Sequence, residues 1–106
     1  MPRTLTAAVL CLACAACAAC AAPPHTVMPA EGYVPDAATA IRIAVAGWEP
    51  IYGHEAIARE APYAAALKDG VWHVEGRLPE GYDVGGVALA DIAKADGRVL
   101  RVSHGR

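Results

Sequence analysis

Val71-Trp72-His73-Val74-Glu75-Gly76-Arg77-Leu78-Pro79-Glu80-Gly81-Tyr82 is the stretch that decides the fold. Side chains along a strand alternate between its two faces, so Trp72, Val74, Gly76 and Leu78 form one set and Val71, His73, Glu75 and Arg77 the other. The first set is the apolar one. It is expected to lie against a helix, leaving His73, Glu75 and Arg77 toward solvent or a partner. Pro79 and Gly81 close the strand. Just before it, Asp69-Gly70 is a two-residue hairpin turn, because both residues tolerate positive φ. That turn makes the alanine-rich stretch Tyr63 to Leu67 the incoming strand. Beyond it, Val84 to Lys94 reads as a third strand, with Gly85-Gly86 allowing a bulge or a close backbone approach. Asp96-Gly97 is a second hairpin turn, and Arg98 to His104 the last strand. The outcome is an antiparallel meander of about four strands.

Upstream, the hydrophobic period changes from two to that of a helix. Asp36 is an N-cap with Pro35 before it and Thr39 three residues on. Ile41, Ala44, Val45 and Trp48 then recur at helical spacing and make one apolar stripe, with Ile43 and Gly47 on a flank and Arg42 and Glu49 toward solvent. Trp48 on this stripe reads as core. Pro50 is expected to end the helix, because the residue before a proline is pushed out of the α region. Ile51-Tyr52-Gly53 then turns, and His54 to Glu60 forms a second short helix with Ile57 facing in. A helix with one apolar stripe covers one face of a small sheet, which gives an α+β fold: an N-terminal helix packed on the meander.

The chain has 106 residues, enough for one domain, and part of it has a different composition. From Met1 to about Ala22, Arg3 is the only charged side chain and an Ala/Leu/Val/Cys run follows, which is the pattern of a secretion signal. All four cysteines, Cys11, Cys14, Cys17 and Cys20, lie in this leader. Their spacing matches an iron–sulfur run on paper, but the residues between them are Ala and Leu, and no further cysteine completes a folded site. The better reading is a lipoprotein-type signal over residues 1–20 with Cys20 as the lipidated residue. Cys17, or ordinary cleavage near Ala22, is the alternative. Residues 21–32, with Pro23, Pro24, Pro29 and Gly32, read as a flexible tether, and residues 33–106 as the domain. The expected location is the periplasmic side of the cell envelope, with the membrane reached through the lipid. The net charge of −2 gives no reason to expect nucleic acid.

Several elements recur together in a recognisable order. Tyr33-Val34-Pro35-Asp36-Ala37 and Thr39-Ala40-Ile41 open the helix, and Trp48 with Pro50-Ile51-Tyr52-Gly53 closes it. Pro62-Tyr63, Asp69-Gly70, Val71-Trp72, Val74-Glu75-Gly76 and Leu78-Pro79-Glu80-Gly81 follow. Gly85-Gly86-Val87-Ala88, Asp96-Gly97-Arg98-Val99-Leu100 and His104-Gly105 complete the series. Over nearly all of Tyr33 to Arg106 the chain resembles the bacterial nuclear transport factor 2-fold immunity proteins, in a short cystatin-like version. The resemblance implies a protein that binds a cognate toxin of a polymorphic toxin system and blocks it by occlusion, without chemistry of its own. The alternative is an envelope lipoprotein domain with an assembly role, or an inhibitor resembling peptidase propeptides. The Asp96-Gly97 hairpin within Ile92 to Val102 is compatible with the latter.

His73, Glu75, Arg77 and Asp91 make the one strand-borne polar cluster. Asp91 falls out of phase with Ala90 and Ile92, so it should share a face with Leu89 and lie near His73. Asp and His pairs serve proton transfer in enzymes of the larger fold, but the elements that close a pocket there are missing, so no catalytic residue is assigned. His73 and His104 lack the spacing of a metal-ligand pair, so no metal and no cofactor are expected. Lys94, Arg98, Arg101 and Arg106 make the C-terminal end basic after an acidic middle. The expected partner surface is the solvent face of the sheet: His73, Glu75, Arg77 and Arg101.

Overall fold

A computed structural model describes residues 25–82 and 85–105. The expected signal peptide with Cys17 and Cys20, Asp83, the Val84 start of the expected third strand, and Arg106 lie outside the described residues. Two helices, α1 (Ala37–Tyr52) and α2 (His54–Ala58), precede four strands: β1 (Ala64–Lys68), β2 (Val71–Glu75), β3 (Ala88–Ala93) and β4 (Val99–His104). The strands form one antiparallel sheet in the order β1-β2-β3-β4, the expected meander.

The start of α1 follows from its first residues. Asp36 has extended backbone, and its Oδ1 accepts hydrogen bonds from Thr39 N at 2.8 Å and Thr39 Oγ1 at 2.6 Å. These bonds, the hydroxyl's foremost, hold the Asp36 carboxyl below the usual carboxylate range. The far end differs from the sequence reading. The helix runs through Pro50 to Tyr52 and is capped by Gly53, whose N–H donates to Glu49 O at 2.9 Å. A proline removes one N–H and presses on the carbonyl four residues back, here that of Ala46. Ala46 is exposed, so water can take up that carbonyl and the helix survives.

The buried stripe of α1 is Ala40, Ala44 and Trp48, with Ile41, Ile43 and Val45 packed partly against it. It meets the inner face of the sheet, where Trp72, Val74, Ala88, Ala90 and Ile92 are buried. The alternation read in the central strand is therefore correct: Trp72 and Val74 point inward, His73 and Glu75 outward. Both tryptophans satisfy their one donor. Trp72 Nε1–H donates to Val34 O at 2.8 Å and Trp48 Nε1–H to Leu89 O at 3.1 Å. A buried indole without such a partner would lose a hydrogen bond to water. Tyr33 and Val34 also donate their N–H groups to Ala95 and Lys94, which fastens the entry to α1 onto the β3–β4 loop.

The strands are shorter than the sequence suggested at two places. β2 ends at Glu75 because Arg77 N–H turns away to Glu60 O at 2.8 Å. β3 is assigned from Ala88. The Asp69-Gly70 turn has φ of 51° and 74°, the left-handed pair that matches strand twist. Between β3 and β4 the register shifts at Asp91/Ile92, pairing Asp91 with Arg101 and Ile92 with Val99 and leaving Leu100 as the extra residue of a bulge.

Candidate functional site

The register fixes the outer face of the sheet row by row. One row reads Ala64, Glu75, Leu89 and Ser103, and the next Ala66, His73, Asp91 and Arg101. Ala64 and Ala66 carry nothing beyond Cβ, so the surface sinks beside Glu75 and His73. The resulting trough, about 340 Å³, is lined by Ala64, Ala65 and Ala66, by Val74 and Leu89, and by His73, Glu75, Asp91 and Arg101. Three of the four residues expected to face a partner, His73, Glu75 and Arg101, thus share one depression. Arg77 does not join them, because the chain has already left the sheet toward Glu60.

His73 and Asp91 stand directly opposite each other, and His73 Nδ1 lies 2.7 Å from Asp91 Oδ1. A carboxylate can only accept, so Nδ1 carries the proton and donates it. The pair orients an imidazole, as a general base would need. Among the described residues, however, no hydroxyl or thiol is hydrogen-bonded to its other nitrogen. The Glu75 carboxylate has no ion pair or hydrogen bond among the described residues, and the Arg101 side chain has only a 3.5 Å contact from its guanidinium to Ser103 Oγ. The trough therefore offers one carboxylate and one guanidinium, both uncommitted, on either side of a settled His–Asp pair.

A second polar group sits at one end of the sheet. Glu60 is 4% exposed. Its Oε1 accepts from Ala88 N–H at 2.7 Å and its Oε2 from His104 Nε2 at 2.8 Å. The Glu60 carbonyl accepts from Arg77 N–H. One residue thus ties the chain after α2 to the end of β2, the start of β3 and the end of β4. His104 Nδ1 also faces an acceptor, Gly105 O at 2.8 Å. With both ring nitrogens against oxygens that only accept, the geometry favours the doubly protonated imidazole. Its pKa is accordingly raised, first by the Glu60 hydrogen bond and then by that to Gly105, against the opposing effect of burial. The Tyr52 ring lies 5.1 Å away, centroid to centroid.

Gly76 is part of this clasp. A Cβ there would lie 2.5 Å from Glu60 Oε1 and 2.8 Å from Glu60 Cβ. The sequence carried this signal without its meaning: in the inward series Trp72, Val74, Gly76, the last position lacks a side chain on the covered face. A strand glycine of that kind marks a close approach. The partner, Glu60, lies 16 residues earlier, and nothing local connects the two.

Among the described residues no group of three or more His, Cys, Asp or Glu is arranged to hold a metal ion, and no helix is long and apolar enough to cross a membrane. A family model described as "NTF2 fold immunity protein" matches residues 39–106. The curated "Uncharacterized protein YhhH" of Escherichia coli strain K12 is 38% identical over 55 residues, which cover 52% of this chain and 43% of that protein. The chain thus matches less than half the length of this relative. No solved structure matches the chain.

Proposed function

The chain belongs to the NTF2 fold immunity protein family, and from that membership we propose that it binds a cognate bacterial toxin and neutralises it by occlusion, not by chemistry. The outer face of the sheet is the surface assigned to the toxin. The observation that carries this choice is the trough, where Glu75 and Arg101 stand without charged partners beside the oriented His73–Asp91 pair. Most charged groups on a sheet face are simply solvated. Charges held around a depression with a small-residue floor suit a protruding partner side chain better, since they set orientation and exclude wrong partners.

The site of action follows from the leader. We place the protein at the periplasmic side of the envelope, anchored through lipid on Cys20. Replacing Cys20 by Ser should abolish incorporation of labelled palmitate and release the protein from membranes. Retained label would move the anchor to Cys17, and absence of label in the unaltered chain would leave a soluble exported product.

The direct test of function is rescue. If a large secreted toxin is encoded beside its gene, co-expression with that toxin should restore growth, and the tagged protein should co-purify with it in a fixed ratio. Growth arrest despite full expression would refute immunity.

A further inference from the structure

We infer that β1 is a docking edge for a second copy of this chain, with the two β1 strands pairing antiparallel about Ala66 to give one continuous eight-stranded sheet. The reasons begin with which backbone groups are free. Lys68 and Val71 close the two-residue Asp69-Gly70 turn, so their pair is hydrogen-bonded, as are the alternate pairs Ala66–His73 and Ala64–Glu75. The N–H and C=O groups of Ala65 and Leu67 then point away from β2. No hydrogen bond from them to any other segment occurs among the described residues.

The two edges of the sheet are treated differently. β4 is blunted by its bulge at Leu100 and by Arg98 and Arg101, devices that discourage strand addition. β1 pairs with β2 in unbroken register and carries Ala64, Ala65 and Ala66, so another backbone can approach it closely. Its one large apolar side chain, Leu67, is on the helix side of the sheet opposite Trp72, yet it is 46% exposed. In a pairing centred on Ala66, Leu67 of each copy stands opposite Ala65 of the other. The two leucines are diagonal neighbours on the same face and cover each other.

Charge fixes the occupant as a second copy. Lys68 is the one charged residue of β1 and makes no ion pair among the described residues; neither does Glu75. In the proposed register Lys68 of one copy stands opposite Ala64 of the other, and Ala64 is already paired with Glu75. Lys68 and Glu75 of the two copies are then two strand spacings apart, about 10 Å, on the same outer face. Their combined side-chain reach spans that gap over the bare alanine. The two-fold axis repeats the contact, so each interface contains two such pairs. The troughs remain on the outer face of the joined sheet, where Ala64 and Glu75 border both surfaces; Lys68 does not line the trough, so K68E probes this association without altering the toxin surface.

Sedimentation equilibrium of the full chain in density-matched neutral detergent tests the proposal. The unaltered chain should show a concentration-dependent monomer–dimer equilibrium. K68E and E75K should each weaken it about tenfold, because each turns two attractions into two repulsions, and the K68E/E75K pair should restore it. A65P removes an outward N–H without touching the β1–β2 ladder, and should leave a monomer with an unchanged far-ultraviolet circular dichroism spectrum. A monomer at every concentration, or a dimer indifferent to A65P and to the charge swap, would overturn the assignment. So would protection of the Ala65 and Leu67 amides that appears only on addition of toxin, which would make the edge a site for a partner's strand.

Discussion

Glu60 is the residue whose loss should be felt most widely. Replacing it by Ala leaves the Ala88 N–H without an acceptor and strips the His104 imidazolium of its carboxylate, and it opens space beside Gly76. A buried donor left unpaired costs about 1–3 kcal/mol, and breaking a buried ion pair can cost about 3–5 kcal/mol. His104 is about a third exposed, which argues for the lower part of that range. We therefore expect Glu60→Ala to lower unfolding stability by about 2–3 kcal/mol in urea titrations. Gly76→Ala should cost about 1–3 kcal/mol by overpacking, and the penalty should shrink when Glu60 is also replaced. The same clasp gives a pH dependence. His104 has a raised pKa in the folded state, so its stabilising contribution is complete below the unfolded-state value of about 6.5 and fades as pH rises through the folded one. Urea midpoints should fall over that interval in the unaltered protein and be flat there in His104→Gln. These residues show where sequence reading ends. Glu60 and His104 lie 44 positions apart, and only the missing side chain at Gly76 hinted that something large approaches the strand. Asp36 and the Asp69-Gly70 turn were legible because their chemistry is complete within three or four neighbouring residues.

The elements were legible as far as side-chain periodicity reached. The inward and outward sets of β2 follow from alternation alone, and Trp48 could be assigned to the core because it recurs with Ile41, Ala44 and Val45 at helical spacing, although the fully buried line runs through Ala40, Ala44 and Trp48 with Ile41 and Val45 on its edges. Boundaries were less legible, since they depend on surroundings the local sequence does not show: β2 stops where Glu60 takes Arg77 N–H, and α1 passes Pro50, whose lost hydrogen bond falls on the exposed Ala46. Pro50→Ala should restore the missing N–H to Ala46 C=O bond. Helix propensity sets an upper limit of about 3 kcal/mol for an interior proline, and this one lies in the final turn, so a gain of about 1 kcal/mol is expected by thermal or urea unfolding. Trp48→Ala should act in the opposite sense, costing about 3–5 kcal/mol, because Trp48 is fully buried where α1 meets β3 and also anchors Leu89 C=O. An equal cost for Trp48→Phe would show that the indole N–H, not the ring volume, supplies most of that stability.

At the scale of the fold, α1 occupies one face of the sheet and the other is uncovered among the described residues, and the residues on that outer face follow from strand phase and register. His73, Glu75 and Arg101 could be nominated from alternation. Their convergence on a depression needed the register that sets Ala64 and Ala66 beside them, and Arg77 fell away because the strand ends before it. This gives an internal control. At concentrations where the chain is monomeric, the unfolding midpoint should be the same for Glu75→Lys/Arg101→Glu, for Arg77→Glu and for the unaltered protein, because these exposed side chains make no ion pair within one chain among the described residues. The measurement that bears most directly on the proposed function is calorimetric titration of these three proteins with a toxin identified by rescue with the unaltered chain. We predict that Glu75→Lys/Arg101→Glu weakens binding at least 100-fold, corresponding to about 2.7 kcal/mol, whereas Arg77→Glu changes it less than threefold. Unchanged affinity in the trough double variant would contradict the assignment of the outer sheet face to toxin binding.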